Sequence, residues 1–238
     1  MEHKTQTKLY MWDFCQCDPK RCSGRKLVRQ KLVKTLPVHA TFHGICLTPD
    51  SSASLLTPQD AEIIRKAGVA VIDCSWNEYS AGRGVNEVKR LKYRNGRFLP
   101  FLMAGNPVNF GRPFKLNCAE ALAGALAICG FMEDAQIVME VFTWGETFLE
   151  MNKKVIKEYR LCHSLQEVMD VQKAYTETDE NDKERRERER AKMFDIPDSD
   201  DDEEGGEMYY NPNRMNYPED SDDEEDDSDE ESDEESSE

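Results

Sequence analysis

The sequence contains no run of apolar residues approaching the ~18 that a membrane-spanning helix needs. Its first residues, MEHKTQTKLYMWDF, include no apolar stretch typical of a secretory signal. We therefore expect no membrane association and a location in the cytoplasm or nucleus, where the eight cysteines stay reduced. The patterns G-x-G-x-x-G, G-x-x-x-x-G-K-[ST] and G-x-S-x-G are also absent. These absences argue against the common nucleotide-binding fingerprints and against a hydrolase serine elbow.

Charge divides the chain into two parts. Residues 1–175 carry 24 basic and 18 acidic side chains, whereas residues 176–238 carry 7 basic and 30 acidic ones. The overall net charge of −17 therefore describes the C-terminal segment rather than the domain before it. We expect 176–238 to be a disordered acidic tail, because it has too little apolar surface to offset chain entropy. Its first part, TETDENDKERRERERAK, also has the composition of a solvated helix.

Strand and helix patterns alternate through the rest of the chain and predict an α/β domain. A strand, a helix and a buried strand in succession favour a right-handed crossover and a partly parallel sheet. The predicted strands cover 8–14, 40–49, 69–76 and a segment ending at Ala104. The predicted helices are a short basic one after the loop CQCDPKRCSGRKL, one over 57–68, one capped by Asn117, two near 132–142 and 146–160, and one starting at Ser164.

The stretch CQCDPKRCSGRK favours either a metal site or a site for a polyanion. Its thiols follow the spacing C-x-C-x4-C, whereas structural zinc needs four ligands, usually in paired knuckles. We therefore expect no bound metal, with a metal-binding or iron–sulfur module as the alternative. Basic side chains beside exposed backbone N–H groups favour phosphate instead, although such runs are often only solvated surface. The predicted RNA-binding residues are Lys20, Arg21, Arg25, Lys26 and Arg29.

Two further stretches carry candidate chemistry. VKRLKYRNGR interleaves basic residues with a tyrosine and is typical of a flexible nucleic-acid loop. In VIDCSW, Asp73 ends a predicted buried strand, which is where open α/β sheets place binding or catalytic groups. Asp73 is therefore a candidate general base, with a turn-capping carboxylate as the alternative. Trp76 is either a pocket wall or a core residue.

Four ordered motifs give the sequence a specific resemblance. DFCQCDPKRCSGRKL, LTPD, GVAVIDCSW and RFLPFLMAGNPVNFGRPFKLNCAEALAGAL closely resemble, over about residues 8–160, the 18S rRNA aminocarboxypropyltransferase family. The resemblance implies a SPOUT-like α/β fold with a C-terminal trefoil knot. It divides the chain into an N-terminal mixed-sheet half (8–97), a helical, knotted, cofactor-binding half (98–175) and the acidic tail.

The resemblance also implies a reaction. The 3-amino-3-carboxypropyl group of S-adenosylmethionine would be transferred to the position-3 nitrogen of an N1-methylpseudouridine in an 18S rRNA hairpin loop. This would be a late step of 40S ribosome biogenesis within the pre-40S particle. Apart from the resemblance, the charged tail after the last predicted helix favours a monomer, and the cysteine spacing favours an enzyme without metal. A non-catalytic rRNA-binding assembly factor and a SPOUT-type RNA methyltransferase are the alternatives. Asp73 would be the base, and the implied cofactor-binding residues are Ser23, Leu47, Pro49, Ile72, Trp76, Leu99, Phe114 and Cys118.

Overall fold

The structure is a computed structural model that describes residues 4–49, 53–73 and 88–194. Within these ranges, five strands form one sheet in the order β2-β1-β4-β3-β5, and every pairing between them is parallel. The predicted sheet is therefore parallel throughout its described strands rather than mixed. The strands are β1 (Leu9–Asp13), β2 (Val33–Thr35), β3 (Thr41–Leu47), β4 (Val69–Asp73) and β5 (Lys92–Arg97).

Six α-helices accompany the sheet in the described part of the chain. A 3-10 turn at Pro58–Asp60 leads into α2, and Pro58 has the fixed φ that suits a first helical turn. In α3, the side chain of Asn117 accepts two backbone N–H groups as the N-cap, as the sequence predicts. The helices are α1 (Ser23–Arg29), α2 (Ala61–Ala67), α3 (Cys118–Ile128), α4 (Met132–Glu140), α5 (Gly145–Arg160) and α6 (Leu165–Phe194).

The sheet buries side chains on both faces. Alternate residues of β1 and β4 point to opposite sides, so Met11 and Val71 join the larger core with the helices. Trp12 and Ile72 belong to a second cluster on the other face. All five residues of β4 are buried, as expected for a central parallel strand. The larger core includes residues from both sides of the predicted boundary at 97/98, and that boundary stays a prediction.

Two predicted elements differ from the structure. The basic run expected to be a loop contains β5. Among the described strands, β5 lies at the edge of the sheet beside β3, so Lys92 and Arg94 can point to solvent. The strand expected to end at Ala104 is absent from the sheet. Its backbone bonds elsewhere: Asn152 both accepts from Met103 N–H and donates to its carbonyl, at 2.7 and 2.8 Å.

The last helix is longer than predicted. The helix starting near Ser164 continues to Phe194, so the predicted tail boundary at 176 falls inside α6. Carboxylate–cation pairs four residues apart, such as Glu184 with Arg188, stabilise this charged part. The predicted tail beyond 194 lies outside the described residues. No helix in the described ranges is long and apolar enough to cross a membrane.

Candidate active site

The main cavity lies at the carboxyl ends of adjacent parallel strands. Leu47 ends β3, Ile72 and Asp73 end β4, and Leu99 follows β5, and all four side chains line a space of ≈ 720 Å³. This volume is within the range of about 300–1,000 Å³ typical of small-molecule sites. The carboxyl ends of the strands are where open α/β sheets bind ligands.

The start of two helices closes the other side of the cavity. Ser23 begins α1 and Cys118 begins α3, and Ser23 Oγ accepts from the backbone N–H of Ala119 at 3.4 Å. The positive ends of both helix dipoles therefore meet at this wall. The remaining lining includes two cations of the loop before α1, one cation of α1, a second loop and two aromatic side chains: Lys20, Arg21, Lys26, Asn106, Pro107, Val108, Asn109, Phe142 and Trp144.

Asp73 is buried at this edge, and three thiols surround its carboxylate. Sγ of Cys22 lies 2.9 Å from one oxygen, and Sγ of Cys118 and Cys17 lie 3.3 and 3.5 Å from the other. Burial and then the hydrogen bond to Asp73 raise the pKa of Cys22 to about 12, and burial and the Asp73 charge raise the pKa of Cys118. These two thiols therefore stay protonated at neutral pH and donate to the carboxylate.

This thiol cluster was missed by reasoning from sequence. Cys118 is about a hundred residues from Cys17 and Cys22, and no spacing rule connects a helix start to the earlier loop. Cys22 also caps α1 by accepting from Arg25 N–H at 3.3 Å. Within the described residues, no group of three or more metal-ligating side chains is arranged to hold a metal ion.

Glu120 is a buried carboxylate that fixes the loop over the cavity. Its Oε1 accepts from the backbone N–H groups of Gly105 and Asn106 at 2.7 and 2.8 Å. Its Oε2 accepts from Asn106 Nδ2 and Asn117 N–H at 2.6 and 2.9 Å. Burial raises the pKa of Glu120, although these donors oppose the shift. The capping box signal of α3 was visible in the sequence, but its link to the loop was not.

The predicted basic residues divide into two groups. Lys20 and Arg21 are exposed and line the cavity, and Arg21 Nε lies 3.9 Å from a carboxylate oxygen of Asp18, which is also exposed. The other three are held by protein groups. Arg25 forms a two-bond ion pair with Asp13, Lys26 Nζ donates to a backbone carbonyl at 2.8 Å and lies over the Phe142 ring, and Arg29 donates to a carbonyl of the loop.

Seven of the eight predicted cofactor-binding residues line this one cavity, together with Asp73. They come from β3, β4, the segment after β5 and the starts of α1 and α3, so the fold brings together positions that are far apart in sequence. Trp76 lies outside the described residues. The seven are Ser23, Leu47, Pro49, Ile72, Leu99, Phe114 and Cys118.

Comparison with known proteins adds two family matches. A model described as "Ribosome biogenesis protein, C-terminal" matches residues 45–176, more than half of the chain. A model described as a possible Fer4-like domain in RNase L inhibitor matches residues 7–39. That segment contains Cys15, Cys17 and Cys22, two of which contact Asp73 while the third is exposed. The matched segment supplies three cysteines, whereas an iron–sulfur cluster is normally held by four cysteine thiolates.

Curated relatives cover the same region. The chain is 39% identical to an 18S rRNA aminocarboxypropyltransferase of Schizosaccharomyces pombe, over 71% of this chain and 57% of the relative. It is 40% identical to the Saccharomyces cerevisiae enzyme, over 81% and 60%. It thus spans less than two thirds of the length of these two relatives. A 16S rRNA aminocarboxypropyltransferase of Methanosarcina mazei is 42% identical, over 70% of this chain and 94% of the relative.

A solved structure shares the fold. The SAM-dependent rRNA:acp-transferase Tsr3 from Vulcanisaeta distributa aligns with a TM-score of 0.59 and 31% identity, over 66% of this chain and 84% of that one. The family match over more than half of the chain and the nearly full-length archaeal relative agree with this likeness. The chain therefore belongs to the rRNA aminocarboxypropyltransferase family.

Proposed function

We propose that this protein transfers the 3-amino-3-carboxypropyl group of S-adenosylmethionine to the position-3 nitrogen of an N1-methylpseudouridine in 18S rRNA. The observation that carries the proposal is the cavity at the strand ends, lined by Asp73 and seven of the residues that the family resemblance implies. The names of the relatives support the same transfer chemistry.

The cavity has the two kinds of surface that S-adenosylmethionine requires. Leu47, Ile72, Leu99 and Phe114 offer apolar walls for the adenine and the methyl group. The helix starts near Ser23 and Cys118 favour the carboxylate of the amino-acid end through their dipoles. When bound, S-adenosylmethionine supplies an electrophilic carbon on its sulfonium, with methylthioadenosine as the leaving group. The walls then have to select which carbon faces the acceptor nitrogen.

Asp73 would accept the proton from the attacking ring nitrogen. An ionised carboxylate has about four acceptor positions, and the three thiols occupy three of them. One position therefore remains for an imide N–H. The thiols also hold the carboxylate in one orientation, because Cys22 is fixed as the cap of α1 and Cys118 lies at the start of α3.

RNA would approach the exposed side of the cavity. Lys20 and Arg21 are the predicted cations that both line the cavity and lie exposed, whereas Arg25 is held in a largely buried pair with Asp13. We expect Lys20 and Arg21 to contact phosphates, which contribute affinity but little sequence reading. Arg21→Ala should therefore make RNA affinity less dependent on salt, with a slope smaller by ~0.7 per lost contact on single-stranded RNA. Lys66→Ala, an exposed cation on α2, is the matched control and should leave the slope unchanged.

The remaining parts of the proposal are expectations from the family resemblance and from the sequence. They are a SPOUT-like topology with a C-terminal trefoil knot, a monomeric enzyme, and action in the cytoplasm or nucleus on a hairpin loop of the pre-40S particle. The parallel sheet followed by helices supports the topology, and the ribosome biogenesis model supports the setting.

A direct test uses the full chain with an rRNA hairpin and two preparations of S-adenosylmethionine, labelled in the methyl group or in the carboxypropyl group. The proposal expects only the carboxypropyl label to enter RNA, and Asp73→Ala to abolish its entry. Asp170→Ala, an exposed aspartate on α6, serves as control. Methyl label in the RNA would show a methyltransferase instead. RNA binding without transfer of either label would show an assembly factor.

A further inference from the structure

The loop over the cavity presents two apolar side chains to solvent. Val108 is 84% exposed and Phe110 is 60% exposed, which makes them two of the most exposed large apolar residues in the described ranges. Val108 and Asn109 line the cavity, and Phe110 is the next residue of the same loop. Exposed apolar groups two residues apart on a loop that lines a site favour a contact surface.

This loop is held in one shape by its own hydrogen bonds. Gly111 N–H donates to the carbonyl of Ala104 at 2.8 Å, and Ala104 N–H donates to the carbonyl of Arg112 at 3.1 Å. Asn109 N–H donates to both oxygens of Asn106, at 3.2 Å for the carbonyl and 3.0 Å for Oδ1. A surface that is already ordered loses little conformational entropy when a partner binds.

The base of the loop is fixed as well. Glu120 is fully buried and holds the backbone of Gly105 and Asn106, just before the exposed residues. Phe114 N–H donates to the carbonyl of Leu102 at 3.1 Å and closes the other end. Phe110 is therefore an exposed aromatic ring on a braced loop. Other residues of this loop, Val108 and Asn109, line the same cavity as the exposed cations Lys20 and Arg21.

We infer that Phe110, supported by Val108, is a stacking platform for an unpaired RNA base adjacent to the base that enters the cavity. This inference rests on the proposed function. Proteins that recognise single-stranded RNA stack unpaired bases on aromatic rings. A base drawn out of its stack exposes the apolar face of its neighbour. The ring of Phe110 stacks against that exposed base face, while Lys20 and Arg21 contact phosphates of the same RNA strand.

The test measures RNA binding and turnover for Phe110→Ala in the full chain, with an rRNA hairpin oligonucleotide as the probe. Loss of one stacked base should weaken RNA binding and raise KM by about 5- to 150-fold, with kcat close to the wild-type value. S-adenosylmethionine affinity, measured by calorimetry, should stay unchanged. Phe110→Tyr should restore RNA affinity. Leu161→Ala removes a similarly exposed apolar side chain that does not line the cavity and should change neither value.

A second arm identifies the base. Abasic sites are introduced one at a time along the hairpin loop, and each oligonucleotide is bound to wild type and Phe110→Ala. At one position, the abasic site and Phe110→Ala should each weaken binding, and together they should cost no more than either alone. Additive losses at every position, or an unchanged affinity in Phe110→Ala, would overturn the platform. Direct binding keeps this outcome separate from the proposed reaction, whose failure would appear as absent transfer by the wild-type chain.

Discussion

Replacement of Glu120 by glutamine is expected to destabilise the fold and to loosen the cavity. The carboxylate accepts four hydrogen bonds of 2.6–2.9 Å from Gly105, Asn106 and Asn117, and its side chain is fully buried. The oxygen of a glutamine can keep the two bonds to the loop backbone. Its amide nitrogen then faces Asn106 Nδ2 and Asn117 N–H. All three groups are donors, so these two hydrogen bonds are lost.

The magnitude follows from those two lost bonds. Each buried donor left without an acceptor costs about 1–3 kcal/mol. Burial also disfavours the charged form of Glu120, as its raised pKa indicates. Replacing the charge by a neutral amide therefore offsets part of the free energy lost with the two hydrogen bonds. We expect a net loss of about 2–4 kcal/mol in the free energy of unfolding and a fall in Tm of about 4–15 °C.

Thermal and guanidinium unfolding followed by circular dichroism would measure the change. Glu133→Gln is the matched control, because Glu133 is an exposed glutamate in the first turn of α4. S-adenosylmethionine binding should also weaken in Glu120→Gln, since Asn106 and its neighbours line the cavity. A free energy of unfolding within about 0.5 kcal/mol of wild type would refute the role assigned to this carboxylate.

Three further changes test other parts of the structure. Gly145→Ala should lower the free energy of unfolding by more than about 2 kcal/mol, because the new Cβ would clash with the backbone carbonyl oxygen of Met139 in α4. Gly130→Ala is the control. Its new Cβ would meet no atom within 4 Å, but the positive φ of this residue is strained for alanine, so the variant should lose about 1–2 kcal/mol of stability. Equal losses of stability in the two variants would contradict the predicted clash at Gly145. Burial opposes ionisation of Asp13, but the hydrogen bonds and charge of Arg25, together with the hydrogen bond from Cys15 N–H, outweigh it and lower the pKa. The contribution of this ion pair to stability is fully present above the ordinary aspartate pKa and is lost as the pH falls through the lowered pKa. Denaturation experiments should therefore show that Asp13→Asn is less stable than wild type at pH 7 and equally stable in strong acid. Cys22→Ala should reduce carboxypropyl transfer while Cys22→Ser, which keeps a donor and a helix cap, retains most of it; equal activity of the two would contradict the donor role.

The sequence predicted most elements because their signals are local. The continuous apolar run of β4 and the cap at Asn117 depend on neighbours within a few residues, and both are found where expected. The edge strand β5 was missed because a charged strand with one exposed face resembles a basic loop. The segment ending at Ala104 was assigned to the sheet because it is apolar, yet its backbone is satisfied by Asn152 from a distant helix.

The site was predictable in part for the same reason. Asp73 stands at the end of an obvious buried strand, so its place at the cavity followed from the pattern. The thiols around it depend on long-range packing that brings Cys118 to Cys22. The ion pair between Arg25 and Asp13 could not be predicted from the sequence either. It depends on the parallel pairing of β1 with β4, which places Asp13 at the same edge of the sheet as Asp73.

The central claim is tested most directly by mass spectrometry of the hypermodified small-subunit rRNA nucleoside from cells carrying wild type or Asp73→Ala at equal protein levels. The account predicts that the variant loses only the aminocarboxypropyl increment and leaves N1-methylpseudouridine in its place. A nucleoside of unchanged mass in the variant would contradict the assignment of Asp73 and its cavity to this transfer.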